Sequence, residues 1–259
     1  MRRAPAACCA PPGSRPGSSA GWRRTGASLS SSTPVAVDAS RPRLPVVVLI
    51  SGGGSNLQAL IDGCQAGELA IDIRLVVSNR ADAYGLTRAA SAGITTRVLS
   101  HKDFGSRVEY DQALATLLGG FAPGLVILAG FMRVLTPAFV ARFRGRMLNI
   151  HPSLLPKYPG LHTHQRALAA GDSEHGATVH FVTEALDGGP PVLQARVPVL
   201  PGDDAERLAA RVLAQEHRLY PLAVRWFAAG RLRLDGTGRA LLDGRALDAP
   251  VDLTRTAVD

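Results

Sequence analysis

Asn149 and His151 lie two residues apart in the stretch "RMLNIHPSLLPKYPGLHTH", residues 146–164. A short apolar run precedes them, and Pro152 ends the regular structure. Residues two apart in a strand point to the same face of the sheet. An amide donor beside an imidazolium can stabilise an oxyanion or a tetrahedral intermediate. The spacing therefore marks a candidate catalytic pair, although a single histidine in such a place is more often structural.

Asp187 lies in the glycine-rich stretch "TEALDGGPP". A carboxylate close to His151 would favour the charged imidazolium and fix its tautomer. The Asp-Gly-Gly sequence would equally suit a plain turn. Asp187 is thus a third catalytic candidate, with a turn as the alternative role.

The stretch "SGGGSN", Ser51 to Asn56, connects an apolar strand to a helix. Glycines let the backbone approach a ligand, and the free N–H groups of the following helix favour a phosphate. The stretch is not a Walker loop, because no Lys-Ser or Lys-Thr follows it. Leu57 stands where the dinucleotide fingerprint has its third glycine. The alternative is a tight turn, but the place at the carboxyl end of the first strand favours phosphate binding.

The stretch "AGFMRVLTP", residues 129–137, also follows a buried strand. Its apolar residues Phe131, Met132, Val134 and Leu135 could wall a flat heteroaromatic ligand. Core packing would explain them equally well.

Five histidines fall between residues 151 and 180, so a metal site has to be considered. They are His151, His162, His164, His175 and His180. No HExxH motif and no clustered cysteine accompanies them. We therefore predict no metal, and expect these side chains to line a cleft or the surface.

Strand and helix patterns alternate from residue 45 onward. The stretch "PVVVLI" (45–50) is continuously apolar, as in a strand buried on both faces. Further strands are predicted at 71–79, 124–130 and 147–150, each preceded by a helical pattern. This alternation predicts an α/β fold with a Rossmann-like, mostly parallel sheet flanked by helices. The later strands "ATVHFVT" and "PVLQARVPVL" lack an intervening helix, so the sheet should become mixed. A long helix is expected over 203–230, with a break near Pro221.

The net charge of +8 is carried mainly by the first 43 of the 259 residues. They hold seven arginines and one acid, whereas the remainder has 22 basic and 20 acidic residues. The nearly neutral remainder does not indicate nucleic-acid binding. Residues 1–43 are rich in Pro, Ser, Gly, Ala and Arg, which predicts a disordered extension, with a transit peptide as the alternative. Three cysteines favour a reducing, cytoplasmic setting, and no apolar run is long enough to span a bilayer.

Several stretches together resemble the phosphoribosylglycinamide formyltransferases, the folate-dependent formyltransferases of purine synthesis. The resemblance runs from about Val46 to Leu234. It is carried by "VVLISGGGSNLQALID", "VILAGFMRVLTPAFV", "LNIHPSLLPKYPGLHTHQRAL" and "HGATVHFVTEALDGGPPVLQARVPV". It implies the formyltransferase fold and three regions: an extension (1–43), a catalytic domain (44–234) and a C-terminal tail (235–259).

The resemblance also implies a role for each matching residue. The catalytic residues would be Asn149, His151 and Asp187. The glycinamide ribonucleotide would be bound by Gly54, Ser55, Asn56 and Glu216. The folate would be bound by Arg107, Met132, Arg133, Val134, Leu135, Asn149, Thr183, Glu184, Ala185, Leu186 and Asp187. The co-substrate would be 10-formyltetrahydrofolate, and no metal would take part.

Two positions depart from the family pattern. Gly53 stands where a larger polar residue is frequent, which could loosen the phosphate loop. Pro191 stands where an aliphatic residue is usual, which removes an N–H and stiffens the chain after the folate loop.

Three other functions are alternatives. A formyltetrahydrofolate hydrolase would carry an N-terminal regulatory domain, and a methionyl-tRNA formyltransferase an additional C-terminal domain. A non-catalytic nucleotide-binding module would use only the "GGGSN" loop, which leaves Asn149, His151 and Asp187 without a role. We expect small-molecule substrates, no nucleic-acid or membrane partner, and a monomer or homodimer.

Overall fold

A computed structural model describes residues 42–255 of the chain. The predicted disordered extension, residues 1–43, therefore lies outside the described residues except for its last two positions, which are exposed. None of the helices in the described range is long and apolar enough to cross a membrane.

Strands and helices alternate along most of the described chain, as the sequence predicts. The first half contains β1 (Leu44–Ile50), α1 (Ser55–Gln65), β2 (Ile71–Ser78), α2 (Tyr84–Ser91), β3 (Thr96–Val98), α3 (Arg107–Gly119) and β4 (Leu125–Leu128). The second half contains α4 (Pro137–Arg142), β5 (Met147–His151), α5 (Thr163–Ala169), β6 (Glu174–Phe181), β7 (Pro191–Pro198) and α6 (Ala205–Ala228). Four short strands follow: β8 (Leu232–Leu234), β9 (Ala240–Leu242), β10 (Arg245–Ala246) and β11 (Val251–Asp252).

Eight strands form one sheet in the order β11-β7-β6-β5-β4-β1-β2-β3. The pairs from β3 across to β5 are parallel. Strand β6 runs antiparallel to both of its neighbours, β5 and β7. The predicted mostly parallel sheet that becomes mixed toward the C-terminus is therefore confirmed.

The continuous apolar run of β1 is explained by helices on both faces of the sheet. Val46, Val48 and Ile50 point into a core shared with α1, α2 and α6. Val47 and Leu49 point into a second core shared with α3 and α4. Because successive strand residues face opposite sides, a strand with two buried faces is apolar at every position.

The chain reverses its direction of travel across the sheet between β1 and β4. From β1 it moves outward through β2 and β3, then returns to β4 on the other side of β1. In open α/β sheets, ligands bind at the carboxyl ends of the strands at such a switch point. The stretches that follow β1, β4 and β5 all begin at this edge.

The expected break of the last helix near Pro221 is wrong, because α6 continues through that residue. A proline inside a helix removes one hydrogen bond and costs about 3 kcal/mol. Residues on the carboxyl side of it, among them Val224 and Trp226, are fully buried. Fully burying a large apolar side chain contributes about 1.5–3 kcal/mol. Packing therefore outweighs the local preference.

The region predicted as a C-terminal tail, residues 235–259, is described as far as residue 255. Strands β9 and β10 lie there and form a small antiparallel sheet with β8. Strand β11 extends the main sheet by pairing in parallel with β7. An ion pair of 2.9 Å between Arg196 and Asp252 reinforces that pairing.

Candidate active site

His151 ends β5 with both ring nitrogens facing acceptors. Its Nδ1 lies 3.4 Å from Oδ2 of Asp187. Its Nε2 donates to the carbonyl oxygen of Tyr158 at 2.8 Å. Since a carbonyl and a carboxylate only accept, these surroundings suit a ring that carries a hydrogen on each nitrogen. His151 is 6% exposed, so the arrangement is largely shielded from water.

Asp187 lies in the loop after β6 and has a left-handed backbone conformation, with φ of 49°. Its Oδ2 also accepts the backbone N–H of Gly160 at 2.8 Å. Its Oδ1 lies 3.8 Å from Nε2 of His180. Asp tolerates left-handed backbone geometry, so the turn role suggested by the sequence describes the backbone. The carboxylate in addition connects the loop after β6 to the proline-rich loop and to His151.

Asn149 is held by a neighbour on the adjacent antiparallel strand. The ring Nδ1 of His180 bonds the carbonyl oxygen of Phe181 at 2.9 Å, so this nitrogen carries the hydrogen. The other nitrogen, Nε2, can then accept from Nδ2 of Asn149 at 3.1 Å. Burial lowers the pKa of His180, which favours the neutral ring that this arrangement needs. One N–H of the Asn149 amide is thereby oriented, and the second is left for a ligand.

The loop between β1 and α1 is packed tightly against the start of α2. Gly54 has φ of 69°, and a Cβ there would lie 2.6 Å from the Cα of Gly85. Gly52 accepts the N–H of Gly85 at 3.0 Å. Gly53 accepts from Nε of Arg88 at 2.9 Å. The loop thus presents the N-terminus of α1, whose first turn contains no acidic residue, and this suits an anion.

Glu216 of α6 faces this loop. Its Oε2 accepts from Nδ2 of Asn56 at 2.7 Å. Burial raises the pKa of Glu216, and the hydrogen bond from Asn56 opposes that shift. A carboxylate has room for several hydrogen bonds, so Glu216 can accept further donors from a ligand.

A cavity lies beside Asn149, between the segment after β4 and the loop after β6. The predicted folate residues Arg133, Val134, Leu135, Asn149 and Thr183 to Asp187 all line it. Phe131 and Val140 add apolar surface. The Arg133 guanidinium lies 4.6 Å from the centre of the Tyr110 ring. A cavity in which apolar side chains stand beside a few oriented polar groups is typical of a site for a flat organic ligand.

A larger concavity of about 730 Å³ lies between α1 and α6. It includes Ser55 and Gln58 near the phosphate loop, together with Arg218 and Arg225. Asn149, His151 and Asp187 do not line it. The arrangement of the catalytic candidates therefore points to the smaller cavity.

The model of the formyl transferase family matches residues 44–224, which is most of the chain. The chain belongs to this family. A phosphoribosylglycinamide formyltransferase from Escherichia coli (strain K12) is 57% identical over 202 residues, or 78% of this chain and 95% of that protein. A solved phosphoribosylglycinamide formyltransferase from Coxiella burnetii is 53% identical, with a TM-score of 0.77, over 81% of this chain and 99% of that one.

A solved structure of an enzyme with a different activity is less similar. The formyltetrahydrofolate deformylase from Burkholderia mallei is 31% identical, with a TM-score of 0.70. The match covers 77% of this chain and 70% of the deformylase. Both solved structures have a TM-score of 0.70 or more with this chain, so the fold alone does not separate the two activities.

The remaining histidines of this formyltransferase do not converge on one point. His164 and His175 bond each other at 3.2 Å. Burial, reinforced by His164, lowers the pKa of His175 to about 4. His162 precedes α5 in a left-handed conformation. Within residues 42–255, no group of three or more His, Cys, Asp or Glu side chains could hold a metal ion.

Two of the predicted folate residues lie apart from the cavity lining. Arg107 is exposed at the first position of α3, and Met132 is 67% exposed. Gly53 departs from the family pattern, in which a larger polar residue is frequent. A Cβ at Gly53 would meet no atom within 4 Å, so the missing side chain leaves open space. Pro191 is the first residue of β7 and lies beside a register shift in the pairing with β6. Proline has no backbone N–H to donate, and the first residue of a strand is a position where a sheet tolerates this.

Sequence reasoning missed the partners that orient the candidate residues. They are His180 for Asn149, the Tyr158 carbonyl for His151, and Ser51 for the segment after β4. In the sequence, His180 stands out only as one of five histidines that are expected to line a cleft or the surface. An antiparallel pairing of β5 with β6 would have placed it opposite Asn149, the register that the structure has.

Proposed function

We propose that Asn149, His151 and Asp187 carry out transfer of the formyl group of 10-formyltetrahydrofolate to the amine of glycinamide ribonucleotide. The products are the formylglycinamide ribonucleotide and tetrahydrofolate, in purine biosynthesis. The observation that carries the proposal is the position of these residues at the switch-point edge. Asn149 and Asp187 line the apolar cavity, and the glycine loop at the end of β1 opens at the same edge.

The ribonucleotide fits the side of the site formed by α1 and α6. Its phosphate would lie at Gly54, Ser55 and Asn56, where backbone N–H groups at the start of α1 attract an anion. Glu216 would accept hydrogen bonds from hydroxyl groups of the ribose. The amine would then point away from the loop, toward Asn149.

The folate fits the apolar cavity. Its heterocycle would contact Arg133, Val134 and Leu135 on one side and the loop from Thr183 to Asp187 on the other. Met132 and Arg107 lie farther out, so they would contact the exposed part of the molecule. The formyl group would reach the carboxyl end of β5.

The reaction needs a stabilised oxyanion and one proton transfer. The amine nitrogen attacks the formyl carbon, and the carbonyl oxygen becomes negatively charged. The free N–H of Asn149 and a ring N–H of His151 donate to that oxygen. The amine then loses a proton, the folate nitrogen gains one through water, and the bond between the formyl carbon and that nitrogen breaks. No step calls on a metal ion.

The hydrogen bond of His151 to Tyr158 bears on this mechanism. Nε2 of His151 donates to the Tyr158 carbonyl, and Nδ1 faces Asp187. For a ring N–H to reach the formyl oxygen, that oxygen must replace one of these two acceptors or share a hydrogen with it. The contact with Asp187 is the longer of the two, and Asp187 lines the cavity.

A formyl-transfer assay tests the proposal. Absorbance follows the conversion of 10-formyltetrahydrofolate with and without glycinamide ribonucleotide, and chromatography detects the formylated ribonucleotide. We expect turnover only when both substrates are present. Formate release without the ribonucleotide would identify a deformylase instead. Ribonucleotide binding with no folate turnover would identify a nucleotide-binding module.

The assembly and the location of the enzyme stay predictions. A monomer or homodimer and a cytoplasmic setting are expected from the sequence, the latter because only three cysteines are present. Sedimentation analysis of the purified protein tests the first, and fractionation of the source cells tests the second.

A further inference from the structure

The segment Met132–Leu135 belongs neither to β4 nor to α4, yet its last three residues form one wall of the apolar cavity. A segment without helical or strand hydrogen bonds needs other contacts to hold its backbone in one place. Two buried side chains from neighbouring elements supply such contacts, one at each end of the segment.

The start of the segment is held by Ser51, the residue that follows β1. Its Oγ accepts the backbone N–H of Met132 at 2.8 Å. The same hydroxyl donates to Oδ1 of Asn79, which follows β2, at 2.6 Å. Both side-chain partners are only 6% exposed. A hydroxyl has a single hydrogen, so donation to Asn79 directs a lone pair of Ser51 toward Met132.

The end of the segment is held by Asp111 of α3. Its Oδ2 accepts the backbone N–H of Thr136 at 2.5 Å. Asp111 is 3% exposed. Between these two ends, Arg133 lies over the ring of Tyr110, the preceding residue of α3. The Asp111 carboxylate is a charged acceptor, so its hydrogen bond to Thr136 is stronger than that of the Ser51 hydroxyl to Met132. The end of the segment is thus held from α3, and its start from the residue after β1.

We propose that Ser51, oriented by Asn79, is a positioning residue for the folate substrate. This inference rests on the proposed function, because it takes Met132–Leu135 as the folate wall. Ser51 is also the first residue of the glycine-rich stretch Ser51–Asn56, so the same strand end sets the start of both substrate-binding segments. Its hydroxyl acts only on the folate segment, because in the described structure its bonds go to Met132 and Asn79.

The test compares Ser51→Ala with a matched control, Ser78→Ala. Ser78 is a fully buried serine at the end of the neighbouring strand β2. Within residues 42–255 its Oγ bonds only the backbone of its own turn, donating to the carbonyl and accepting the N–H of Arg80. The control therefore removes a buried hydroxyl that itself makes no hydrogen bond to the folate segment, although its turn contains Asn79.

Dissociation constants for 10-formyltetrahydrofolate and for glycinamide ribonucleotide are measured by calorimetry, and KM values by the transfer assay. Removing a neutral hydrogen bond at the wall should weaken folate binding about 10-fold in Ser51→Ala. Ribonucleotide binding should change less than about twofold, and Ser78→Ala should leave both constants near those of the unchanged protein. The double variant Ser51→Ala with Asn79→Ala should bind folate no worse than Ser51→Ala alone, since Asn79 acts through the Ser51 hydroxyl.

An unchanged folate constant in Ser51→Ala, or equal weakening of both ligands, overturns the inference. If Ser51→Ala does not fold, the single variant Asn79→Ala tests the inference, because it keeps the Ser51 hydroxyl but no longer orients it. An unchanged dissociation constant for folate in Asn79→Ala also overturns the inference. The proposed function fails separately, if the unchanged protein binds folate but transfers no formyl group to the ribonucleotide.

Discussion

Replacing Asp187 by asparagine removes a charge next to His151 while keeping the side chain's shape. Asparagine also tolerates the left-handed backbone found at this position. Its side-chain oxygen can still accept the N–H of Gly160. The substitution therefore isolates the effect of the negative charge that faces His151 Nδ1 at 3.4 Å.

The size of the effect follows from the distance and the burial. Two unit charges about 4 Å apart attract by ~4 kcal/mol at an effective dielectric constant of ~20. Both side chains are more than nine-tenths buried, so the cost of removing them from water offsets part of this attraction. A loss of about 2.7 kcal/mol of transition-state stabilisation corresponds to a 100-fold lower kcat. We expect a fall of about 100-fold or more, with a smaller change in folate KM, because most of the cavity wall is apolar or backbone.

The assay measures kcat for Asp187→Asn, His151→Ala and the double variant, with circular dichroism to check the fold. The double variant should lose little more than His151→Ala alone, because the two side chains act as a unit. Asp243→Asn is the matched control, since Asp243 also has a left-handed backbone, with φ of 52°, and lies outside the candidate site. Additive losses, or an Asp187→Asn enzyme close to the unchanged one, would show that His151 has a different partner.

Three further variants test other parts of the site and the chain. Gly54→Ala should raise the KM of the ribonucleotide far more than that of folate, because its Cβ would lie 2.6 Å from Gly85; Gly67→Ala, which has a similar φ but open space, should leave both KM values unchanged. Burial raises the pKa of Glu216, so the protonated side chain stabilises the folded protein fully at a pH below the ordinary carboxyl pKa. The folded protein loses that stability as the pH rises through the raised pKa. Glu216→Gln should accordingly raise the Tm more at about pH 8 than at about pH 4, while it weakens ribonucleotide binding. Deletion of residues 1–43 should leave folding and turnover intact, which thermal unfolding and the transfer assay check.

The alternation of strands and helices was readable from the sequence because β1 is apolar at every position and glycines end the helices. The carboxyl-end location of the glycine loop and of Asn149 followed from the same alternation. The orienting contacts were not readable, because they join residues far apart in the chain. Ser51 bonds Met132 across 81 positions. The order of strands in the sheet places β4 next to β1. That order therefore decides that Ser51, which follows β1, meets the segment that follows β4.

Helix α6 shows how such long-range contacts overrule a local rule. Proline at position 221 predicts a break, since it cannot donate to the carbonyl one turn earlier. The preceding residue, Tyr220, is fully buried and places its hydroxyl 2.9 Å from the carbonyl oxygens of both Leu128 and Leu148. One turn before it, Glu216 faces the phosphate loop. Because one helix contacts β4, β5 and the loop after β1 at once, a bend at Pro221 would expose the buried turn that follows it and strain these contacts. The helix therefore stays continuous, and the position of Glu216 relative to Asn149 is fixed by Tyr220.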